Sequence, residues 1–363
     1  MILKVIKNYL YNNYLPMNLS FLYQLGSILG FIYIIQIISG ILLATLFSVD
    51  EAFMNIDRIN REITYGYILR YTHSNGSFII FFILYLHIFK SLFYSSYYKL
   101  HTYIIGIFIF LLSIITAFLG YTLPNGQMSL WGATVITNLL SVLPYGKNIL
   151  EFIWGNYYIT LECMKKFYSL HYLLPFILVG LMILHLYTLH QYYTSNPLNI
   201  RSNHIQFHIY YSIKDILGII LIIFLYIYFI FYNPLLLGHS DNYIISNLLV
   251  TPSHIVPELY LLPYYGILKS INSKIIGIIA MIISILLLII IPLIQNRNLT
   301  NRSYRPLYYF ILFFWLFNFI SLGIIGTKLV VEPYITIGKY LVYMNFYFYP
   351  LIYILSLVEL ILF

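Results

Sequence analysis

"RYTHSNGSFIIFFILYLHIFK", residues 70–90, has the length and apolar content of a lipid-crossing helix, yet it carries Arg70, His73, His87 and Lys90. A bilayer-spanning helix needs about 20 mostly apolar residues. An ionisable side chain inside one is costly, so its presence there is by default a functional-site hypothesis. The pattern recurs in "LHYLLPFILVGLMILHLYTLH", residues 170–190, where His171 and His185 are again fourteen apart, as His73 and His87 are. Fourteen residues make nearly four α-helical turns, so the two histidines of each segment share a face and lie about 21 Å apart along the axis.

The rest of the chain fits the same environment. Its 363 residues are 61% hydrophobic and 8% charged, where soluble domains are about half apolar and about a quarter charged. The 40 tyrosines suit a water–lipid boundary, which accepts an apolar ring with a polar tip. An all-α membrane protein is expected, with eight transmembrane helices near 22–47, 66–94, 103–123, 168–192, 214–233, 275–295, 306–326 and 337–361. The connections 124–166 and 234–274 are long and too apolar for solvated linkers, and read as surface or re-entrant amphipathic helices. Loops of that length are often functional. The N-terminal twenty residues lack a signal-peptide layout. The single cysteine, Cys163, reads as structural. One thiol excludes an internal disulfide, a C-x-x-C-H haem attachment and a four-Cys iron–sulfur site on this chain.

Eight crossings place both termini on one side, here side 1. Its basic residues are Lys4, Lys7, Lys90, Lys99, Arg201, Lys214, Arg297, Arg302 and Arg305, against ten on side 2. The positive-inside rule counts only Lys and Arg and gives no orientation. The acids divide more sharply, with Asp215 and Glu359 on side 1 and nine on side 2.

Topology pairs the histidines. The second and fourth spans run in the same direction, so His73 and His171 share a depth near side 2, and His87 and His185 share one nearer side 1. Two imidazoles are too few for zinc, which takes four protein ligands, or three and water. A haem iron needs only two axial ligands, and the apolar macrocycle would fill a helix bundle. The alternative is four histidines that hydrogen-bond within the bundle. Gly26 and Gly40 in the first span, and Gly106 and Gly120 in the third, are also fourteen apart. A residue without a Cβ admits a bulky planar group, although small residues also serve helix packing in membranes. Arg70 and Lys90 lie near the two depths, where they could meet haem propionates or snorkel to the interface. Two haems in line imply electron transfer across the bilayer, with a lipid-soluble quinone as the two-electron partner. A different class, a transporter relaying protons through its histidines, would lack a b-type spectrum.

At this point the residues resemble the mitochondrial cytochrome b family, the core of the cytochrome bc1 complex. The resemblance rests on the paired histidines, "LPNGQMSLWGATVITNLLS" (123–141), "SNP" (195–197), "HIYYSIKDILG" (208–218), "LGHSDNYIISNLLVTPSHIVPELYLLPYYGILKSI" (237–271) and "VEPYITIG" (331–338). It covers essentially the whole chain. It implies two non-covalent b-type haems. His73 and His171 would ligate the low-potential one near side 2, and His87 and His185 the high-potential one. Side 1 would be the matrix face of the mitochondrial inner membrane, carrying both termini. Residues 1–21 would form a matrix-side segment, 22–212 the di-haem four-helix domain, and 213–363 a second four-helix domain.

Ubiquinol would be oxidised at an outer pocket matching Gly132, Pro257, Glu258, Tyr260 and Tyr265. There a carboxylate such as Glu258 can accept a proton. Ubiquinone would be reduced at an inner pocket near His190, Lys214 and Asp215, where a His beside an Asp can deliver protons near neutral pH. Lys214 also suits a cardiolipin headgroup. One electron would pass to a Rieske iron–sulfur protein. That subunit, cytochrome c1 and the other bc1 subunits, in a dimeric complex, are the implied partners, and no nucleic acid is expected. The chain departs from the family's pattern at Pro257-Glu258-Leu259-Tyr260, where Pro-Glu-Trp-Tyr is usual, and at Pro124-Asn125-Gly126-Gln127, where Pro-Trp-Gly-Gln is usual. Lys90 stands where an arginine is usual, and a lysine cannot clamp a carboxylate bidentately.

Overall fold

Apolar runs too long for any soluble helix dictate the architecture, and the chain folds as a bundle of long helices bridged by short ones. The structure is a computed structural model and describes residues 11, 13–191, 194–295 and 305–362. Lys4, Lys7, Arg297 and Arg302 of the expected side-1 charges, and most of the expected N-terminal segment, lie outside the described residues. Among the described residues, eight helices are long and apolar enough to cross a membrane. In chain order the helices are α1 (Leu25–Ala44), α2 (Ala52–Arg61), α3 (Gly66–Phe93), α4 (Leu100–Thr122), α5 (Gln127–Thr137), α6 (Gly146–Trp154), α7 (Leu161–His190), α8 (Ser212–Ile227), α9 (Leu262–Ser270), α10 (Lys274–Ile294), α11 (Pro306–Gly326) and α12 (Tyr334–Leu362). Pro175, Pro292 and Pro350 lie inside α7, α10 and α12, where neighbouring elements can satisfy the freed backbone groups, as membrane helices allow.

Two helix pairs form the first half: α1 packs along α3, and α4 along α7. Helix α8 leans on α1, and α9 is wedged among α10, α11 and α12. A Cβ at Gly266 of α9 would strike the Leu322 carbonyl of α11, so these backbones meet at glycine. The two long connections hold short helices as expected. That between α4 and α7 carries α5 and α6; that between α8 and α10 carries α9. They are tied together on side 2. Asn247 N–H donates to Gln127 Oε1 (2.7 Å), Gln127 Nε2 donates to the Val250 carbonyl (2.5 Å), and Ser129 N–H donates to Asn242 Oδ1 (2.8 Å).

The fifth span differs from the sequence reading. It runs Phe207–Tyr232 and starts seven residues before the expected 214, because the aromatic turn Phe207–Tyr211 leads directly into α8. On side 1 a short antiparallel pair joins β1 (Tyr14–Pro16) to β2 (His204–Gln206), with Tyr14 opposite Gln206. Nearby, Arg305 and Glu359 are an ion pair (3.4 Å) with side chains 1% and 0% exposed. Arg305 also donates to Ser95 Oγ (3.2 Å), Tyr97 Oη (2.8 Å) and Gln295 Oε1, while Glu359 accepts from Tyr308 N–H (2.9 Å).

Candidate functional site

Helices α3 and α7 each carry two histidines four turns apart, and the bundle sets them opposite one another. The His73 and His171 ring centroids are 6.1 Å apart at an interplanar angle of 89°; those of His87 and His185 are 6.4 Å apart at 58°. A direct imidazole–imidazole hydrogen bond, about 3 Å between nitrogens, would bring the centroids to roughly 5 Å. Two nitrogen–metal bonds of about 2 Å each, plus the half-widths of two rings, give roughly 6 Å. The observed spacings fit a metal atom between the rings. Among the described residues no third His, Cys, Asp or Glu joins either pair. A metal held between such a pair would need its remaining coordination positions filled by a group of its own, and a haem macrocycle would fit that need.

The outer rings are held for that task. The Thr116 carbonyl lies 2.8 Å from His171 Nδ1. A carbonyl only accepts, so Nδ1 keeps the proton and Nε2 is left with a free lone pair that could ligate a metal. His73 Nδ1 lies 3.0 Å from Ser39 Oγ. In the inner pair, Nδ1 of both His87 and His185 is buried with no hydrogen-bond partner, and His185 lies beside Thr102.

Each ring also faces one of the four glycines. A Cβ built on Gly26 would lie 3.5 Å from His87 Cε1, on Gly40 2.9 Å from His73 Cε1, and on Gly106 3.2 Å from His185 Cε1; on Gly120 it would collide with His171 Cε1. The shared period of fourteen is thus a packing rule, in which one glycine on α1 or α4 admits one imidazole edge.

A cavity of about 450 Å³ opens between the outer imidazoles and the side-2 connections. His73, His171 and Arg70 line it, and so do Glu258 and Tyr260. Glu258 is 6% exposed, and its Oε1 has no hydrogen-bond partner. Burial pushes its carboxyl up to about 8, against the smaller lowering effect of its hydrogen bonds. Tyr260 stacks on Phe81 (centroids 4.0 Å, 12°), and its carbonyl accepts from Tyr85 Oη (2.5 Å).

Pro257 is half-buried immediately before Glu258. Gly132 is buried in α5 with Tyr121, a cavity-lining residue, 4.0 Å from where its Cβ would be. Tyr265 stands apart from this group. It lines a second, more open cavity of about 260 Å³ with His254 and Lys269, and donates to the Ile255 carbonyl (3.3 Å). The family departures are also accommodated. Asn125 adopts a left-handed φ of 53°, a conformation Asn tolerates, and accepts from Ser246 Oγ (3.1 Å). Leu259 is exposed.

On side 1, Lys90 Nζ sits 4.0 Å above the Tyr23 ring. Lys214 Nζ donates to the Leu19 carbonyl (2.7 Å). Asp215 is half-buried beside Ser27 and Lys214. His190, exposed at the end of α7, shares this side. Sequence reasoning missed Ser39 and Thr116 as the outer imidazoles' partners, although Ser39 adjoins Gly40 and Thr116 lies one turn before Gly120. It also missed the burial of Lys99.

Comparison with known proteins agrees with this geometry. Residues 10–193 match the family described as cytochrome b/b6/petB, and residues 245–348 match cytochrome b (C-terminal)/b6/petD. Cytochrome b of Rickettsia bellii is 46% identical over 336 residues, covering 90% of this chain and 84% of the relative. Cytochrome b of Wickerhamomyces canadensis is 42% identical over 369 residues, covering 99% and 96%. A chain of a hyperthermophilic respiratory complex III superposes with a TM-score of 0.93 at 28% identity, covering 99% of this chain and 97% of that one. The chain belongs to the cytochrome b family, as a multi-pass membrane subunit of respiratory complex III, the quinol–cytochrome c oxidoreductase.

Proposed function

We propose that this chain holds two b-type haems in residues 22–212, an outer one on His73 and His171 and an inner one on His87 and His185. The observation that carries the reading is the pair of imidazole sites at 6.1 and 6.4 Å, each ring edge facing a glycine. When bound, the haems supply one-electron oxidation and reduction at two depths of the membrane.

Within residues 213–363, the Pro257–Tyr260 loop binds ubiquinol at the Glu258 end of the 450 Å³ cavity, the end at His73 and His171 being left to the outer haem. Glu258 accepts a proton from a quinol hydroxyl through its unpartnered Oε1, and Tyr260 fixes that loop by stacking on Phe81. Gly132 backs the wall of that cavity behind Tyr121, and Tyr265 lines the neighbouring cavity instead. Arg70 meets an acidic group of the outer haem, and Lys90 one of the inner haem. On side 1, His190 and Asp215 deliver protons to ubiquinone, and Lys214 orients the quinone or a cardiolipin headgroup.

The iron–sulfur cluster and c-type haem that the complex requires come from a Rieske protein and cytochrome c1, since one cysteine cannot build them. The complex is a dimer in the mitochondrial inner membrane, with side 1 and both termini toward the matrix. A redox titration of the isolated complex, followed in the b-type α-band, tests the central assignment. Two one-electron components are expected; a single component, or none, overturns it.

A further inference from the structure

Three residues before Thr102, which lies beside His185 and bonds Thr188 (3.2 Å), stands a buried cation that the proposed function does not use. Lys99 is 4% exposed, and burial lowers its ammonium to about 8. Its charge bears on Lys90 and on His190, and the charge of Lys90 in turn bears on both His87 and His185. Ion pairs among the described residues are Arg61–Asp57, Lys165–Asp50 and Arg305–Glu359, so neither lysine has an acid. Two like charges near each other in a poorly solvated place repel, and an anion between them reverses the sign of the interaction.

Two further observations point the same way. Ser96 opens the 3-10 turn Ser96–Tyr98 that ends just before Lys99, and the Lys99 N–H donates to the Ser96 carbonyl (3.2 Å). The Ser96 Oγ is buried without a hydrogen-bond partner. Helix α4 begins at Leu100, so its positive N-terminal end faces the same region.

We propose that Lys99 is a positioning residue for the inner haem, holding with Lys90 a carboxylate side group of that haem. A single lysine is a point charge and cannot grip a carboxylate with two parallel bonds as an arginine does; two lysines from different elements can. The inference rests on His87 and His185 being haem ligands.

The test uses K99M and K99R in the assembled complex, with K99Q as a milder substitute should K99M fail to assemble. Bound haem, the midpoint potential of each b component and bound phospholipid phosphorus are measured. A cation beside the haem favours the reduced form. In K99M or K99Q the inner component should shift toward the oxidised form by about three- to tenfold at fixed potential, at most about 59 mV for one electron. K99R should restore the potential, and the outer component should not move. An unchanged inner potential in K99M or K99Q overturns the role of Lys99. That result with loss of phosphorus would give the two lysines to an anionic lipid headgroup instead. A wild-type complex with no inner b component would fail the ligand assignment, a different and separable result.

Discussion

Replacing Gly120 with alanine adds one methyl group and should selectively cost the outer haem. The new Cβ collides with His171 Cε1 and lies 3.0 Å from both ring nitrogens, so the imidazole must move. Moving it strains or breaks the 2.8 Å contact of Nδ1 with the Thr116 carbonyl. Overpacking costs about 1–3 kcal/mol, and the lost hydrogen bond about 0.5–1.5 kcal/mol. The gain in helix propensity from glycine to alanine is the same with and without haem, so it cancels. The combined penalty of about 2–4 kcal/mol weakens haem retention by roughly 30- to 1000-fold at 1.4 kcal/mol per decade. Gly26→Ala is the control, because its Cβ would meet His87 Cε1 at an ordinary 3.5 Å. The assay is the dithionite-reduced minus oxidised spectrum of the purified complex, with haem per protein measured alongside. Loss should follow the order Gly120, Gly40, Gly106, Gly26, the first two in the outer component and the last two in the inner. If Gly120→Ala keeps its outer haem as fully as Gly26→Ala keeps its inner one, the glycine–imidazole fit does not govern binding.

His185→Ala should abolish the inner component while part of the outer one still assembles; loss of the outer component instead would invert the depth assignment. Glu258→Gln should slow quinol oxidation by about 100-fold, the low end for a positioned proton acceptor, with haem content unchanged. Because burial raises this carboxyl to about 8, it is protonated below that pH and accepts protons above it. The wild-type rate should therefore climb between pH 7 and 9, and the variant should lack that rise; identical profiles would remove Glu258 from the proton path. Glu359→Ala leaves Arg305 buried without its counter-charge, which should destabilise the assembled protein by about 3–5 kcal/mol. Replacing both, as Arg305→Met with Glu359→Leu, should recover most of the lost thermal stability, and a single-variant loss below about 1 kcal/mol would show the pair to be solvated.

The histidine lattice was legible in the sequence because helical geometry converts a spacing of fourteen into a shared face, and alternating spans convert chain order into depth. The glycines were legible for the same reason, but their one-to-one pairing with the imidazoles needed the helix neighbours, α1 against α3 and α4 against α7. Helix α2 escaped the reading because it is short and polar. Its buried Ala52, Asn55 and Ile59 repeat at helical spacing, but too few turns are present for the pattern to stand out. The Arg305–Glu359 pair spans 54 residues, and charge counting could place both on side 1 but not in contact. Tyr265 matched a pocket motif by position, yet the turn after Glu258 sends it into a neighbouring cavity. Lys99 counts in the sequence only as one of the side-1 basic residues, and its burial, 4% exposed, comes from the packing around it.

The β1–β2 pair bears on the order in which the protein can be made. Tyr14–Pro16 cannot meet its partner until His204–Gln206 has been synthesised, almost two hundred residues later. By then His73, His87, His171 and His185 have all been translated. The same join is reinforced by Met17 N–H to the Asn203 carbonyl (2.9 Å), by Tyr211 Oη to the Pro16 carbonyl and by Lys214 to the Leu19 carbonyl. The segment at residues 14–19 thus acts as a latch that shuts after the first half of the molecule has been threaded. A nascent chain halted before residue 204 would keep its beginning unfastened, and one halted beyond residue 214 could close it.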